Sequence, residues 1–420
     1  MALIVQKYGG SSVGTLDRIR HVASRVIEAK QAGHDVVVVV SAMQGETDRL
    51  ITLAQNLTAE PTPREYDVLV ATGEQVSMSL LAMALNSAGC PARSFTSLQV
   101  RILTDELHTN ARILNIETDT ILKSLNEGYV AVIAGFQGVN KDGDITTLGR
   151  GGSDTTAVAI AATLEADECQ IYTDVEGVYT TDPRVLSKAV LLNEISFEEM
   201  LEMASLGAKV LQMRSVELAS KHNVPLRVLS TFSRGIGTIV VDEEKIMQKR
   251  LVSGIAFSRE EAIVSLSGVP NKPGVEGRIL NKVSEAHIGI DMIAQNATDG
   301  ETTDFTFTVQ RNDHNKTLKI IEKLADELGA ISLKSRADVA KLSVVGLGMR
   351  SHSGVASTMF TALGKEGINI QMITTSEIKI SVVIDESKLD AGIRVIHDAF
   401  ELDRLPITGQ AAPLELVIER

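Results

Sequence analysis

The chain has 420 residues, of which 44% are hydrophobic and 23% are charged, as in soluble globular proteins of two or three domains. Lysine and arginine number 41 against 54 aspartates and glutamates, giving a net charge of −13, and no long basic run occurs. This balance argues against nucleic acid or an anionic membrane surface as a partner. The two cysteines lie far apart, so we expect two reduced core thiols and no metal-binding cluster.

The N-terminal segment predicts no targeting or membrane-spanning sequence. It enters a strand-like run directly, without a basic region followed by an apolar one. The densest apolar run, Val36–Val40, is far shorter than the roughly 20 residues that span a bilayer. We therefore expect a cytoplasmic protein.

Strand and helix patterns alternate through the first part of the chain. Val36–Val40 is an unbroken β-branched run, typical of a parallel strand that is buried on both faces. The predicted strands are Ala2–Val5, Val36–Val40, Tyr129–Ala134, Cys169–Thr173, Pro225–Leu229 and Thr238–Val241. The predicted helices are Leu16–Ala32, Tyr66–Ala88, Thr155–Leu164 and Met200–His222. This alternation predicts an α/β sandwich around a mainly parallel sheet.

The C-terminal part contains an internal repeat with an offset of 80 residues. Gly274-Val275 matches Gly354-Val355, and Ile288–Ile293 matches Ile368–Ile373. Each copy is typical of a small duplicated α+β domain, with a helix after a glycine-containing loop. We expect an α/β domain over 1–241, a linker and the first strand of the following part over 242–261, and repeated domains over 262–338 and 339–420.

The segment Lys7–Ser12, KYGGSS, lies between the first predicted strand and the first predicted helix. Its glycines let backbone N–H groups turn toward a phosphate, and the helix N-terminus adds partial positive charge. Lys7 adds a full charge. The Gly-Lys-Ser/Thr ending of a P-loop is missing, so the segment indicates either another kind of phosphate site or a tight turn with an exposed lysine.

The segment Leu148–Ala157, LGRGGSDTTA, places Arg150 in a glycine loop before a predicted helix. The guanidinium fork suits a carboxylate or a phosphate. Ser153 or Asp154 is expected to be the N-cap of the helix, and Asp154 is suited to orienting Lys7 or holding Mg²⁺. The alternative is a capped glycine loop with a surface arginine.

Other polar residues follow predicted strands, where open α/β sheets bind ligands. Ser41 ends the valine strand and Thr47 lies shortly after it. Glu74 lies in a predicted helix, where a solvated charge is the ordinary alternative. The loop Tyr172–Arg184 is polar and rich in turn residues, which indicates either a nucleotide site or a surface loop.

Taken in order, KYGGSS, SAM with the following Thr47-Asp48, TGE, GRGGSDTTA and TDVEGVYTTDPR resemble the motifs of the amino acid kinase superfamily, and specifically of the aspartokinases. The C-terminal repeat resembles the tandem ACT domains of that family, so the resemblance covers nearly the whole chain. It implies a three-layer α/β sandwich with a mainly parallel sheet, followed by two α+β, ferredoxin-like ACT domains.

The resemblance implies an activity as well. It implies ATP-dependent phosphorylation of the side-chain carboxylate of L-aspartate to 4-phospho-L-aspartate, the first step of lysine, threonine and methionine biosynthesis. Such a carboxylate is ionised near neutral pH, because an unperturbed aspartate has a pKa of about 3.9, so no general base is needed. Catalysis would then depend on positioning and on neutralising the transferring phosphoryl group.

The resemblance also implies roles for individual residues, with ATP and Mg²⁺ as cofactors. The catalytic residues would be Lys7 and Asp154. The substrate-binding residues would be Ser41, Thr47, Glu74, Arg150, Gly151, Gly152 and Ser153. The ATP-binding residues would be Lys7, Gly9, Gly10, Ser11, Thr173, Asp174, Tyr179, Arg184 and Lys209. The effector-binding residues would be Asn271, Gly274, Met292, Ile293, Gln295, Asn369, Ile370 and Met372.

Feedback inhibition by lysine or threonine through the ACT domains, and a homodimer or larger oligomer, are further implications of the resemblance. An additional ACT-only subunit remains open, as does concerted inhibition by two amino acids. Met292 and Met372 are as well explained as core residues. The alternatives are a kinase of the same fold that acts on N-acetylglutamate, glutamate or UMP, and a non-catalytic amino-acid sensor, against which Lys7, Arg150 and Asp154 argue.

Overall fold

The structure, a computed structural model, describes residues 2–206, 210–246, 250–297, 300–350, 352 and 354–404. The chain divides into two compact units. The first unit contains Met1–Tyr179 and Leu191–Lys249, and the second contains Thr180–Val190 and Arg250–Arg420. A short segment from within the sequence of the first unit thus belongs to the second.

The first unit alternates strands and helices. Its elements are β1 (Leu3–Tyr8), α1 (Leu16–Gln31), β2 (Asp35–Val40), α2 (Glu46–Leu57), α3 (Pro63–Val70), α4 (Thr72–Ser87), β3 (Ala92–Phe95), β4 (Ile102–Thr104), β5 (Ile113–Ile116), α5 (Asp119–Asn126), β6 (Val130–Ala134), β7 (Gln137–Val139), β8 (Ile145–Thr147), α6 (Gly152–Thr163), β9 (Glu168–Thr173), β10 (Glu194–Ser196), α7 (Phe197–Ser205), α8 (Met213–His222), β11 (Leu226–Ser230) and β12 (Thr238–Val241).

Eight of these strands form the main sheet, in the order β10-β12-β11-β9-β1-β2-β6-β3. Only the β11–β12 pair is antiparallel among the described strands of this sheet. A four-stranded sheet, β5-β4-β7-β8, lies in the same unit. Val36, Val38 and Val40 of β2 pack with α1 and α4, and the alternate side chains face the side where α6 contacts the sheet. Strand β1 therefore lies near the centre of the main sheet, between β9 and β2.

One predicted helix is broken in the structure, and a stretch predicted to be mostly helical contains two helices. The predicted helix Tyr66–Ala88 is α3 followed by α4, with Ala71 between them, and Met200–His222 contains α7 and α8. Pro63–Ser87 is, over the described residues, the one helical stretch that is long and apolar enough to cross a membrane, with a mean hydropathy of 1.5. Half of that stretch is buried, and α4 packs against α1 and β3, so a place in the core explains its apolar composition.

The second unit contains the predicted repeat. Its elements are β13 (Gly254–Pro270), α9 (Val275–Glu285), β14 (Ile290–Ala297), β15 (Thr302–Gln310), α10 (His314–Leu328), β16 (Ser332–Val345), α11 (Val355–Lys365), β17 (Met372–Thr375), β18 (Lys379–Asp385) and α12 (Leu389–Ala399). Helices α9 and α11 both follow a glycine with positive φ, 93° at Gly274 and 107° at Gly354. These two glycines occupy equivalent positions in the repeat.

The strands of the repeat form one antiparallel sheet, in the order β14-β15-β13-β16-β18-β17. The two long central strands are shared between the copies. The first part of β13, from Gly254 to Ser258, pairs with the end of β16, whereas Ile263–Ser267 pairs with the beginning of β16. The edge strands β14 and β17 are in contact with each other. The sheet therefore joins both copies without an interruption.

The segment 180–190 is anchored within the second unit. Ile255 N–H donates to the carbonyl oxygen of Thr180 at 2.7 Å, and Thr180 Oγ1 lies 3.0 Å from His397 Nε2. Val185 and Leu186 pack against the apolar cluster formed by β16, β18, α11 and α12. Backbone hydrogen bonds and apolar packing thus both hold this segment within the second unit.

Candidate active site

A cavity of about 330 Å³ lies at the carboxyl ends of β1, β2 and β6. The structure brings to it every residue that the sequence predicts to be catalytic or substrate-binding, together with one predicted phosphate-loop glycine. These lining residues are Lys7, Gly10, Ser41, Thr47, Glu74, Arg150, Gly151, Gly152, Ser153 and Asp154. Segments that are far apart in the sequence therefore meet in one pocket.

Lys7 and Asp154 form the charged centre of the cavity. Lys7 lies on β1, between β2 and β9, and its Nζ atom is 2.6 Å from Asp154 Oδ1. Both side chains are nearly buried. This close contact is a charge-assisted interaction between the ammonium group and the carboxylate. The aspartate is placed to orient the lysine and retains the capacity to bind another cation.

The loop after β1 approaches the loop after β2 closely. A Cβ atom added at Gly10 would lie 3.0 Å from the carbonyl oxygen of Ala42, so a side chain there would push the two loops apart. Arg18 on α1 donates hydrogen bonds to the carbonyl oxygen of Ser11 at 2.8 Å and to Gln44 Oε1 at 3.1 Å. Glycine packing and this arginine thus hold the two loops together at the rim of the cavity.

Helix α6 begins at the cavity, but its cap differs from the prediction. We expected Ser153 or Asp154 to be the N-cap, whereas the N-cap is Gly151 at φ 74°, and no side chain caps the helix. Both expected residues lie inside the first turn and face the cavity. The first-turn N–H groups and the helix dipole are consequently available to an anion in the pocket.

Arg150 precedes this helix and is exposed. Its guanidinium makes neither an ion pair nor a hydrogen bond with the rest of the described chain. A Cβ atom at the following Gly151 would overlap the side chain of Gln212, so only glycine fits at this point of the loop. The arginine is therefore free to bind an anionic ligand, while the backbone beside it is tightly packed.

Glu74 lies at the start of α4 and is buried. Ala42 N–H donates to its Oε1 atom at 2.9 Å, whereas Oε2 has no partner among the described residues. Burial raises the pKa of Glu74 to about 7, and the hydrogen bond from Ala42 opposes this increase. A cationic group of a ligand would satisfy the free oxygen and favour the ionised carboxylate.

The cavity also contains residues that the sequence analysis did not select as site residues. Gln44 lies on the loop after β2, Asp48 lies on α2 next to the predicted Thr47, and Phe136 follows β6. Phe136 has a positive φ of 69°, and its N–H donates to Thr156 Oγ1 at 3.1 Å. Its position directly after a buried strand was the available signal, because nothing about an isolated phenylalanine indicates a polar site.

The predicted nucleotide residues are distributed over several places. Thr173 ends β9, the neighbour of β1, and its hydroxyl donates to Asp174 Oδ1 at 3.1 Å. Tyr179 Oη donates to Glu176 Oε2 at 2.8 Å. Arg184 belongs to the second unit and pairs there with Asp182 at 2.7 Å. The predicted residue Lys209 lies outside the described residues.

The predicted effector residues lie on the loops and edge strands of the second unit. Met292 of β14 and Met372 of β17 are both buried in one apolar cluster with Val339 and Val383. Ile293 is exposed, and Gln295 Nε2 donates to Glu276 Oε1 at 2.9 Å.

The remaining predicted effector residues lie on two loops, one before α9 and one before β17. Asn271 and Gly274 lie on the loop before α9, and the Asn271 side chain bonds the carbonyl oxygen of Gly300 at 3.3 Å. Asn369 and Ile370 precede β17. Six of the eight predicted effector residues thus lie on β14, on β17 or directly before β17, and the other two lie on the loop before α9.

Comparison with protein families defines the class of the protein. The amino acid kinase family matches residues 2–230, which is more than half of the chain. The ACT domain matches residues 264–324 and 342–400, in agreement with the repeat. The fold and the cavity therefore define an amino acid kinase with ACT domains, and the expected fold class is confirmed.

Known relatives define the group more narrowly. An aspartate kinase of Stutzerimonas stutzeri is 60% identical over 404 residues, which cover 96% of this chain and 98% of that protein. An aspartokinase of Pseudomonas aeruginosa is likewise 60% identical, with the same coverage of both chains. The chain belongs to the aspartate kinases, which are phosphotransferases of the amino acid kinase family.

A solved structure agrees with this placement. E. coli aspartokinase III, in complex with aspartate and ADP, has a TM-score of 0.77 and 26% identity and covers 94% of this chain and 99% of its own. The same enzyme has also been solved in complex with lysine and aspartate, as a T-state.

Proposed function

We propose that the cavity around Lys7 transfers the terminal phosphoryl group of ATP to the side-chain carboxylate of L-aspartate, which gives 4-phospho-L-aspartate. The observation that carries this proposal is that one pocket contains two cations, Lys7 and Arg150, and a buried carboxylate, Glu74. One oxygen of that carboxylate has no hydrogen-bond partner among the described residues. An amino acid with a second carboxylate needs both kinds of partner. The aspartate and ADP bound by E. coli aspartokinase III support the same pair of ligands here.

Each end of the substrate has a complementary group in the pocket. Arg150 binds the α-carboxylate, because its guanidinium fork matches two carboxylate oxygens. Glu74, helped by Thr47, binds the α-ammonium group. Ser41 and the first turn of α6, which contains Ser153, hold the side-chain carboxylate that attacks the phosphate.

Lys7 neutralises the charge that develops on the transferring phosphoryl group, and Asp154 keeps the lysine oriented. The N–H groups of Gly9, Gly10 and Ser11 surround the same phosphate. Thr173, Asp174 and Tyr179 bind the remainder of the nucleotide, with Arg184 and Lys209 as further contacts.

The donor set fits Mg²⁺ that is bound mainly through the nucleotide. Asp154 places a carboxylate at the cavity, and carboxylate oxygens are the hard ligands that Mg²⁺ prefers. The described residues contain no group of three or more histidine, cysteine, aspartate or glutamate side chains that could hold a metal by themselves. Bound with ATP, the ion would supply positive charge to the phosphate oxygens.

We place this reaction at the start of lysine, threonine and methionine biosynthesis, in the cytoplasm, with lysine, threonine or both as inhibitors that bind the ACT domains. The lysine in the T-state of E. coli aspartokinase III supports the first of these effectors. The contact between β14 and β17, where predicted effector residues cluster, supports the place. Paired ACT sheets would make a homodimer or a larger oligomer, with or without an ACT-only subunit.

Acceptor specificity tests the catalytic proposal. ADP release in the presence of Mg·ATP is measured with aspartate, glutamate, N-acetylglutamate and UMP as acceptors. We expect turnover with aspartate and background rates with the others. A higher kcat/KM for any other acceptor would contradict the assignment.

The regulatory proposal has a separate test. Aspartate turnover is measured with lysine, threonine and methionine, added singly and in pairs. Inhibition needs a coupling free energy of typically about 1–3 kcal/mol between the two sites. Unchanged turnover under all combinations would remove the regulatory proposal and leave the kinase proposal in place.

A further inference from the structure

A buried aspartate outside the cavity anchors the loop that presents Arg150. Asp67 lies on α3 and its side chain is fully buried. It is paired with no lysine or arginine in the described part of the chain. An ionised carboxylate in such a place needs several hydrogen bonds, because burying it without them is costly.

The partners of Asp67 come from two separate segments. Thr147 donates its N–H to Oδ2 at 3.1 Å and its hydroxyl to Oδ1 at 2.6 Å. Thr109 N–H lies within 3.1 Å of both carboxylate oxygens, and His108 Nδ1 lies 2.8 Å from Oδ2. The Asp67 carboxylate thus acts as a clamp. It joins the turn around Thr109, called the clamped turn below, to Thr147 at the end of β8.

Thr147 connects the Asp67 clamp to the loop that carries Arg150. Thr147 ends β8, and Leu148, Gly149 and Arg150 follow it directly. Ala111 N–H donates to the carbonyl oxygen of Thr147 at 2.9 Å, so the clamped turn and the strand end are also bonded through the backbone.

The clamped turn packs against the Arg150 loop itself. A Cβ atom at Gly149 would lie 3.0 Å from Asn110 Oδ1 and 3.2 Å from the carbonyl oxygen of Thr109. Thr109 has a positive φ of 67°, which is unfavourable for a β-branched residue and is held by its bond to Asp67. Loss of the carboxylate would therefore release the surface on which Gly149 rests.

Since the Arg150 side chain has no partner of its own in the described chain, its backbone alone sets its position. We propose that Asp67 is a positioning residue for aspartate binding, acting through Thr147 and the 148–150 loop on Arg150. This inference rests on the proposed role of Arg150 toward the α-carboxylate. Asp67 itself contacts no substrate, since it does not line the cavity.

The test is the variant Asp67→Asn, which keeps the shape and removes the charge. An amide has one acceptor oxygen and directs an NH₂ group at donors, so at least one charge-assisted bond is lost. We expect the KM for aspartate to rise about tenfold or more, with the KM for ATP changing by less than about twofold. Asp304→Asn is the matched control, because Asp304 accepts a hydrogen bond from the N–H of Gly268 and both residues belong to the second unit.

A double-mutant cycle separates this inference from the proposed function. If Asp67 acts through Arg150, Asp67→Asn adds no further rise in the aspartate KM to an Arg150→Ala enzyme. Fully additive effects would overturn the inference. If Arg150→Ala alone leaves the aspartate KM unchanged, the proposed role of Arg150 fails instead.

Thr147→Val provides a second route if Asp67→Asn does not fold. It removes the hydroxyl donor and leaves the carboxylate and the backbone bond in place. We expect a smaller rise of the aspartate KM, with the same insensitivity of the ATP KM. Equal rises for both substrates, or no rise for a folded variant, would overturn the inference.

Discussion

Two buried glutamates, one in each unit, show how differently the molecule treats an acidic group away from water. Burial raises the pKa of both Glu74 and Glu261, and each has one carboxylate oxygen without a hydrogen bond among the described residues. Glu261 lies 3.4 Å from the ammonium group of Lys341, which also contacts Asp291. Glu74 has no cation beside it in the described chain.

The charge of Glu261 is neutralised by the protein itself, whereas the charge of Glu74 would be neutralised by a bound ligand. Glu261 is balanced by Lys341 within the six-stranded sheet of the second unit, where β13 pairs with β16. Glu74 is unbalanced and faces a cavity. A buried charge whose partner is missing from its own chain points to a ligand of opposite charge, whereas a paired one contributes to the integrity of the sheet.

Removing the partner of Glu261 should have the largest effect on stability. Lys341→Ala leaves the buried Glu261 without its cation, so we expect the regulatory unit to lose about 3–5 kcal/mol. Hydrogen exchange of peptides from β13 and β16 measures the loss. The control combines Lys341→Met with Glu261→Gln, which removes both charges and should restore most of the protection. Unchanged exchange in Lys341→Ala would show that Glu261 is not balanced by this pair.

Lys7→Ala tests the proposed catalytic role of Lys7 and leaves the carboxylates of the cavity in place. We expect kcat to fall by about 100-fold or more, because Lys7 acts on the transition state, with the KM for aspartate less affected. Steady-state kinetics with aspartate and Mg·ATP measure both quantities. Lys30→Ala is a suitable control, since Lys30 forms an ion pair with Asp35 on the opposite end of β2. Turnover near that of the unaltered enzyme would exclude the proposed role of Lys7.

Glu74→Gln should stabilise the ligand-free enzyme above neutral pH. The folded-state pKa of about 7 lies above the unfolded value of 4.5, so the stability contributed by the protonated form is complete below 4.5 and is lost as the pH rises through 7. We expect the variant to gain about 2–3 kcal/mol near pH 8 and nothing near pH 4. Denaturant unfolding at the two pH values measures it, and an equal gain at both would contradict the assigned pKa.

The same carboxylate should make aspartate binding depend on pH. The substrate ammonium needs ionised Glu74, so we expect the KM for aspartate to fall about tenfold between about pH 6 and about pH 8. The KM of the Glu74→Gln enzyme should be higher and nearly constant over this range. A slope that persists in the variant would assign the titration to another group.

The sequence located most of the cavity because its residues lie in motifs with a chemical reason for their spacing. Arg150 is flanked by glycines, Lys7 lies two residues before a pair of glycines, and Ser41 and Thr47 follow a buried strand. Phe136 could not be found in this way, because its contribution depends on a backbone conformation that its residue type disfavours. The N-cap was placed two or three residues late, since Gly151 caps the helix through its own backbone geometry.

The regulatory half was harder to predict in detail. The repeat follows from matching residues, but the sharing of β13 and β16 does not, since a local pattern cannot distinguish a linker from the first part of a long strand. The break of the predicted helix at Ala71 was not predicted either, because the helical spacing of apolar residues continues across it. Asp67 was also missed, since only the fold reveals that a lone helical aspartate is buried.

The segment 180–190 has a consequence for dividing the protein into parts. The chain passes between the units three times, at residues 179–180, 190–191 and 249–250. A fragment that ends at residue 249 would retain Val185 and Leu186 but lose the apolar cluster that covers them. The second unit therefore includes residues 180–190 as well as the C-terminal part of the chain, and a chimaera with a foreign second unit would need to exchange 180–190 too.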